Sequence, residues 1–157
     1  MNKIFYWSPF TTSKIATVKA VINSAASLNK FSKKNQFKTC IIDAVHEWKD
    51  FENEIKEKNI ELIYLNKDTF FNSFTKDGFM RSRIAYWYIF FKSFFPLIKV
   101  LQEKKPDYLI IHLITSLPLF LFTFKNFQSK LILRISGLPK MTFFRKLLWK
   151  LAVKNIY

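Results

Sequence analysis

The chain has 157 residues, half of them hydrophobic, and it carries a formal net charge of +15 with two glycines and one cysteine. This length fits one domain with a substantial core, and the high apolar content excludes a disordered or low-complexity chain. A single cysteine excludes an internal disulfide. Cys40 lies within an apolar run, which favours a buried structural thiol.

The amino-terminal half predicts alternating strands and helices. Short apolar runs predict strands at residues 3–7, 37–42 and 60–65. A charged, peripheral helix is predicted over residues 47–58, and a loop over residues 66–79. Between the first two strands, apolar residues recur at the spacing of an amphipathic helix. These residues are Ile15, Val18, Ile22, Ala25 and Leu28.

The carboxyl-terminal half continues this alternation. A long helix is predicted over residues 80–105, and Pro96 should kink or split it because proline removes one helical hydrogen bond. Strands at 107–111 and 131–135 flank a short helix at 117–124. The apolar residues at helical spacing in the long helix are Ile84, Trp87, Phe91, Phe94, Ile98 and Leu101.

A last helix and a further strand are predicted at the carboxyl end. Thr142 can cap this helix, in which Phe143, Leu147 and Leu151 share one face. Residues 154–157 have the pattern of a strand that is just beginning. A chain that starts another strand and then stops suggests a piece of a longer protein.

Strands that alternate with helices predict an α/β fold. We expect a Rossmann-like, doubly wound, mostly parallel sheet of five to six strands with helices on both faces. Short and wholly apolar strands fit a parallel sheet that is buried on both sides. Residues 1–157 should form a single domain of this type.

Two segments resemble membrane spans by their apolar content. Residues 84–101 and 108–124 are each interrupted by polar side chains, and neither gives the roughly 20 uninterrupted apolar residues of a span. We therefore interpret both as elements of a soluble core. The apolar stretch at the amino terminus is too short for a signal peptide, so we expect a cytoplasmic location, with the inner face of the membrane as a site of contact.

The positive charge alone does not indicate nucleic acid binding. Four of the 26 basic residues are arginines, although arginine is the preferred residue for phosphate and base-edge contacts. The sequence contains no recognised nucleic-acid motif, so we expect no nucleic acid partner. A positive surface also suits an anionic membrane. In the last helix, Lys146, Lys150 and Lys154 recur at four-residue spacing beside Trp149, which is typical of either an interfacial helix or a solvated face.

Polar residues at the strand ends are the candidate site, because ligands of parallel sheets bind beyond the carboxyl ends of the strands. His112 follows the fourth strand, where it can act as a general base or as a hydrogen-bond donor. The residues alone favour a histidine that the backbone satisfies. Arg134 is expected inside an apolar strand, where it would bind an anion or pair with a buried carboxylate. The other candidates for substrate binding are Ser8, Thr11, Thr12, Ser13, Ser136 and Gly137.

Several kinds of site are not supported by the sequence. Neither a dinucleotide-binding glycine fingerprint nor a P-loop is present. His46 and His112 lie far apart in sequence, and the carboxylates lack metal-ligand spacing, so we expect no metal. His46 is interpreted as a surface residue.

Four segments together resemble the amino-terminal domain of GT-B glycosyltransferases, in particular the family-4-like retaining enzymes. They are residues 3–10 with the Ser8-Pro9 corner, residues 17–28 as the first helix, the Lys-Pro-Asp-Tyr-Leu-Ile-Ile-His run at 105–112, and residues 131–139. The resemblance covers nearly the whole chain. The glycine-rich first loop of many members is replaced by Thr11, Thr12 and Ser13, and Ser136 stands where many members have histidine.

The resemblance implies the acceptor-binding half of an enzyme that moves a sugar from a nucleotide-sugar donor to a glycan or lipid-linked acceptor in cell-envelope polysaccharide synthesis. It places His112, residues 8–13 and Ser136-Gly137 on the catalytic cleft. In the family, a carboxyl-terminal half with a paired-glutamate motif binds the nucleotide-sugar, and that half is missing here. We expect this chain alone to be inactive. The alternative is a non-enzymatic, basic peripheral membrane module.

Overall fold

The computed structural model describes residues 1–10, 15–31, 36–66, 79–135 and 142–156, with the backbone alone for residues 15, 79–82, 144 and 155. The described residues form twelve elements in chain order. They are β1 (Asn2–Trp7), α1 (Ile15–Phe31), β2 (Phe37–Asp43), a 3-10 turn (Lys49–Phe51), α2 (Glu52–Glu57), β3 (Glu61–Tyr64), α3 (Phe79–Lys104), β4 (Tyr108–Ile111), α4 (Ser116–Phe124), β5 (Lys130–Leu133), α5 (Phe143–Ala152) and a second 3-10 turn (Val153–Asn155).

The strands form one parallel sheet in the order β3-β2-β1-β4-β5. This order confirms the predicted doubly wound α/β fold, since the chain moves outward from β1 to β3 and then crosses to β4 on the other side of β1. The predicted further strand also begins, because Ile156 forms a parallel bridge with Leu131 of β5. A sixth strand position therefore lies beside β5.

Successive residues of each strand face opposite sides of the sheet, so the strands contribute to two apolar layers, one on each face. On the α1 side, Tyr6 and Ile41 pack with Val18 and Ile22 of α1 and with Ile55 of α2. On the α3 side, the intervening residues pack with α3, α4 and α5. The buried residues of this second layer include Phe5, Ile42, Ile89, Leu109, Leu117 and Ala152. Because both faces are covered, the strands need no polar face, which is why their sequences are almost continuously apolar.

The buried face of α3 matches the predicted one only in part. As predicted, Leu101 is buried and Phe94 and Ile98 pack against the core. Ile84, Trp87 and Phe91 of the predicted stripe are exposed, and Ala85, Ile89 and Leu97 pack against the sheet in their place. Both sets recur at helical spacing and both are apolar, so periodicity alone does not distinguish them. Contact with the sheet selects the set with the smaller side chains. The two stripes lie on opposite sides of the helix, because two residues advance about 200° around it.

Pro96 lies within α3, which continues through it as one helix of 26 residues. Of the two predicted effects of Pro96, a kink or a split, the split does not occur. Proline has no N–H to donate to the carbonyl of Lys92, four residues earlier. The side-chain amide nitrogen of Asn66, just beyond β3, donates to that carbonyl at 3.3 Å and to the carbonyl of Ala44 at 2.7 Å. This side chain supplies a donor where the helix lacks one.

The segment after β2 is a turn held by two buried carboxylates. Asp43 accepts hydrogen bonds from the backbone nitrogens of Glu47 (3.1 Å) and Trp48 (3.3 Å). Glu47 in turn accepts from the nitrogens of Ala44 (3.2 Å) and Val45 (2.7 Å). The helix predicted to begin at Glu47 therefore begins later, at Glu52, because Glu47 stabilises the preceding turn instead.

Three further predictions are settled by the described residues. Cys40 is buried, and burial raises the pKa of its thiol to about 12. Thr142 caps α5, with its hydroxyl accepting a hydrogen bond from the nitrogen of Arg145. The face of α5 that carries Phe143, Leu147 and Leu151 is exposed, so this apolar stripe does not join the core. Most of the predicted loop at 66–79 lies outside the described residues.

Candidate functional site

The carboxyl edge of the sheet carries a row of polar residues, one after or at the end of each strand. Trp7 pairs with Ile42 and Ile111, and Ile111 pairs with Leu133. The next residue on each of these strands is therefore level with the others. The row across the sheet, called the polar row below, consists of Tyr64, Asp43, Ser8, His112 and Arg134.

Backbone pairing continues to the level of the polar row and fixes it. The nitrogen of His112 donates to the carbonyl of Trp7 at 3.0 Å, and the nitrogen of Arg134 donates to that of Ile111 at 2.9 Å. Since alternate strand residues face opposite sides, and Tyr6, Ile110 and Ile132 lie on the α1 side, the same side is expected for Ser8, His112 and Arg134. Three predicted site residues are thus neighbours on adjacent strands.

Ser8 and His112 each hold a buried polar atom with no protein partner among the described residues. Ser8 is 1% exposed, and neither its hydroxyl oxygen nor the Nδ1 of His112 has a hydrogen-bond partner there. A buried polar atom normally has a partner, because leaving it unsatisfied costs about 1–3 kcal/mol. The strands β1 and β4 that present them flank the point where the strand order reverses, which is where ligands of doubly wound sheets bind.

The electrostatic surroundings of His112 favour its neutral form. Burial lowers the pKa of His112 below its ordinary value of 6.5, and the positive charge of Arg134 lowers it further. A neutral imidazole at pH 7 can accept a proton or donate one hydrogen bond. The prediction that the backbone satisfies His112 applies to its amide alone, because the Nδ1 atom has no such partner in the described structure.

Arg134 differs from its prediction. It lies just beyond β5 and is exposed, and within the described part of the chain it has no ion pair with a buried carboxylate. Its charge acts on both His112 and Tyr6. Arg134 therefore makes this end of the polar row positive, as binding of an anionic group would require.

An open groove of about 790 Å³ runs from Arg134 along the α1 side of β4 and β5. Its floor is apolar, from Ile110 and Ile132, and its α1 wall is polar, from Asn23, Ser24 and Ser27. Volumes of several hundred Å³ suit small ligands. A second cavity of about 600 Å³, lined by Met1 and Lys58 among others, lies at the opposite, amino edge of the sheet.

Two members of the polar row were missed from the sequence. Asp43 is fully buried and committed to backbone donors, so it holds the turn after β2 and is not free to bind a ligand. Tyr64 has its pKa raised to about 12, chiefly by burial, and its ring lies near His46. His46, predicted at the surface, is half-buried and adopts a φ of 68°. An acidic residue directly after an apolar strand was the signal that could have identified this turn.

The remaining predicted residues fall into two groups. Thr11, Thr12, Ser13, Ser136 and Gly137 lie outside the described residues. Lys146 and Lys150 on α5 and Lys154 in the following 3-10 turn are exposed, while Trp149 of α5 is half-buried against the α3-side core. These α5 residues are on the other face of the sheet from the groove. Within the described ranges, no group of three His, Cys, Asp or Glu side chains could hold a metal ion.

The arrangement can bind a polyhydroxylated, partly anionic ligand. The Ser8 hydroxyl and the His112 imidazole offer short-range hydrogen bonds at a buried position, and Arg134 supplies a charge nearby. The imidazole could also accept a proton from a ligand hydroxyl. The groove beside Arg134 gives the rest of such a ligand room along α1.

The fold has a counterpart among solved structures. The chain is similar to the crystal structure titled CalG4, the calicheamicin glycosyltransferase, with a TM-score of 0.58 and 11% sequence identity over 95% of this chain. The match covers 36% of that protein, so this chain spans about a third of its length. No protein-family model and no curated protein matches the sequence. At this identity the likeness concerns the fold: the chain has a glycosyltransferase-like, Rossmann-like fold.

Proposed function

We propose that this chain is the acceptor-side, amino-terminal half of a GT-B glycosyltransferase of the family-4-like type. The complete enzyme would transfer a sugar from a nucleotide-sugar to a glycan or lipid-linked acceptor in cell-envelope polysaccharide synthesis, on the cytoplasmic side. A second, carboxyl-terminal half would bind the donor, and this half would carry the acceptor.

The observation that carries this proposal is a pair of buried atoms, on Ser8 and His112 at the reversal point of the sheet, that have no hydrogen-bond partner among the described residues. A sugar hydroxyl both donates and accepts hydrogen bonds, so it can satisfy a serine hydroxyl and a neutral imidazole together. A diphosphate on a lipid-linked acceptor would be attracted to Arg134. The sugar would occupy the edge of the polar row, and the rest of the acceptor would lie along the groove.

The size of the fold supports the proposal of a half-enzyme. The chain aligns with about a third of the CalG4 chain. Catalysis between two halves requires donor contacts that this half does not supply by itself. The chain alone should therefore bind acceptors and transfer no sugar.

A binding experiment on the histidines tests this proposal. The chain has two histidines, so NMR spectra of the ¹⁵N-histidine-labelled protein contain two imidazoles, and His46→Asn assigns them. Asparagine tolerates the positive φ at position 46. A soluble oligosaccharide and a short-chain prenyl-diphosphate-linked sugar serve as acceptor probes, with UDP-glucose as the donor probe.

We expect the acceptor probes to shift the His112 signals and to leave those of His46 unchanged. Ser8→Ala should weaken this binding about fivefold, the loss expected for one hydrogen bond of about 1 kcal/mol. Binding of UDP-glucose in preference to both acceptor probes would contradict the acceptor assignment. Sugar transfer by residues 1–157 alone would contradict the assignment as a half-enzyme.

A further inference from the structure

The helices on the α3 side expose an unusual amount of apolar surface. Nine of the thirteen large apolar side chains that are exposed in the described structure belong to α3, α4 and α5. We call this set the outer helix face. Its members are Ile84, Trp87, Phe91, Phe95, Phe120, Phe124, Phe143, Leu147 and Leu151.

The aromatic stripe of α3 points directly away from the sheet. Trp87, Phe91 and Phe95 are 53%, 68% and 75% exposed. Each lies two residues from a buried member of the inner stripe, Ala85, Ile89 or Leu97, and therefore on the opposite side of the helix. A helix that is apolar on two opposite sides needs a second apolar environment. Within Arg83–Lys104, an 18-residue window with a mean hydropathy of 1.4 is long and apolar enough to span a membrane, although 28% of that window is buried.

Contacts between helices make the outer helix face continuous. The rings of Phe90 and Phe94 on α3 lie 6.3 Å and 6.2 Å from that of Phe120 on α4, which lies 4.7 Å from Phe124. Tyr86 and Ser116 share a hydrogen bond between the same two helices. These contacts join the exposed sides of α3 and α4, and α5 covers the same face of the sheet.

The charge around this layer is positive. Residues 79–157 contain fourteen basic and two acidic residues, whereas residues 1–78 contain twelve basic and nine acidic ones. Exposed Lys146 and Lys150 on α5, and Lys154 in the 3-10 turn that follows it, run beside the stripe of Phe143, Leu147 and Leu151. Lys92 and Lys99 are exposed on α3. The acidic helix α2 lies on the opposite side of the sheet.

We propose that the outer helix face docks this protein onto an anionic lipid bilayer. The aromatic side chains would enter the interface between headgroups and acyl chains, and the lysines would contact the anionic headgroups. Because α3 is fixed to the sheet through Ala85, Ile89 and Leu97, it lies on the bilayer and does not cross it. This inference does not depend on the proposed function.

Charge disfavours a second copy of the chain as the occupant. In a two-fold dimer the same patch meets itself, so the lysines of α5 would face one another across an apolar interface. An anionic bilayer removes this repulsion and covers the same apolar surface. An anionic bilayer would thus match both features of the outer helix face: its acyl region would cover the apolar side chains, and its headgroups would pair with the lysines.

Vesicle flotation with matched variants tests the proposal. The wild-type chain should float with phosphatidylcholine vesicles that contain about 30% phosphatidylglycerol, and about tenfold less with phosphatidylcholine alone. The double variant Phe91→Ser/Phe95→Ser should lower binding about tenfold, whereas Phe91→Trp/Phe95→Trp should retain it. Phe31→Ser is the matched control, since Phe31 is 75% exposed at the end of α1 on the other side of the sheet.

Charge reversal separates the lysine contribution from net charge. Replacing Lys146, Lys150 and Lys154 by glutamate should abolish the preference for anionic vesicles. Replacing Lys30, Lys49 and Lys56 by glutamate changes the net charge by the same amount. These three lysines are exposed on the α1 side, so this variant should keep the preference for anionic vesicles. If both triple variants lost vesicle binding equally, binding would depend on net charge alone, which would contradict docking through the outer helix face.

Trp87 provides an independent readout of orientation. Trp7 and Trp48 are fully buried and Trp149 on α5 is half-buried. In a Trp149→Phe background, brominated phospholipids should therefore quench mainly Trp87, and the further change Trp87→Phe should remove most of this quenching. Three results would overturn the proposal: no flotation of the wild-type chain, a salt-independent dimer that is lost in Phe91→Ser/Phe95→Ser without vesicle binding, or binding that resists alkaline carbonate extraction as a spanning helix does.

Discussion

At the scale of single residues, the site depends on which polar atoms remain available. Asp43 and Ser8 are level on adjacent strands, yet each carboxylate oxygen of Asp43 accepts a backbone hydrogen bond while the Ser8 hydroxyl has no partner among the described residues. Glu47 shows the same principle, because burial and the nearby Asp43 raise its pKa while backbone N–H groups hold its carboxyl. Whether a polar atom already has a hydrogen-bond partner therefore distinguishes binding groups from structural ones better than residue type does.

The electrostatic link between Arg134 and His112 gives a first prediction. Arg134→Gln should raise the pKa of His112 towards 6.5, since it removes a nearby positive charge that disfavours the imidazolium. The measurement is an NMR titration of the imidazole. Lys130→Gln, which removes a cation at the start of the same strand, is the control. An unchanged His112 pKa in Arg134→Gln would refute the link.

The lowered pKa also affects stability in a defined direction. The folded protein binds a proton at His112 less readily than the unfolded chain, so this residue reduces the free energy of unfolding as the pH falls below about 6.5. The raised pKa of Glu47 acts in the opposite sense over the acidic range. The comparison of wild-type with His112→Gln in urea unfolding isolates the histidine contribution, and identical pH dependence in the two proteins would exclude it.

At the scale of elements, α3 is held by a compensation between a loop and a helix. Pro96 leaves the Lys92 carbonyl without its usual helical donor, and Asn66 donates to it across 3.3 Å. The same amide also donates to Ala44, so Asn66 joins the ends of β2 and β3 to the middle of the crossover helix. The helix continues through its proline because of this external donor.

This compensation predicts a coupling between Asn66 and Pro96. Asn66→Ala should lower the free energy of unfolding by about 1–2 kcal/mol, because two carbonyls lose a donor. In a Pro96→Ala background the cost should be smaller, since residue 96 could then donate to Lys92. A double-mutant cycle in urea measures the coupling. Strictly additive effects would contradict this account.

The sequence predicted where strands and helices lie better than it predicted which side of each is buried. Strand positions and the parallel order followed from short apolar runs, and the Thr142 cap followed from one residue. The inner stripe of α3 did not, because Ala85 and Ile89 compete with Trp87 and Phe91 at the same period and tertiary packing decides between them. Glu47 and Arg134 were misplaced for the same reason: the backbone donors around Glu47 and the end of β5 are properties of the assembled sheet.

At the scale of the whole molecule, charge and apolar surface are unevenly distributed. The described ion pairs use few acids, and Glu54 and Glu61 each pair with two lysines. The excess of positive charge is concentrated in residues 79–157, which build the α3-side helices. The polar row directs Ser8, His112 and Arg134 to the α1 side of the sheet, whereas the outer helix face lies on the α3 side.

A net charge of +15 predicts that self-repulsion limits stability at low ionic strength. Raising NaCl from about 20 to about 300 mM should increase the melting temperature, since it shortens the range of repulsion. An increase of about 2–4 °C corresponds to about 1 kcal/mol in a chain of this size. The triple lysine-to-glutamate variant of α5 should show a shallower increase. A fall in melting temperature with salt would contradict dominant repulsion.

The buried thiol of Cys40 has a practical consequence. With a pKa of about 12, roughly one molecule in ten thousand carries the thiolate at pH 8, so alkylating reagents should leave the native cysteine intact. A cysteine introduced at position 91 or 147 would then be the sole reactive group. Nitroxide labels at such positions could report immersion depth by paramagnetic relaxation without any substitution of Cys40.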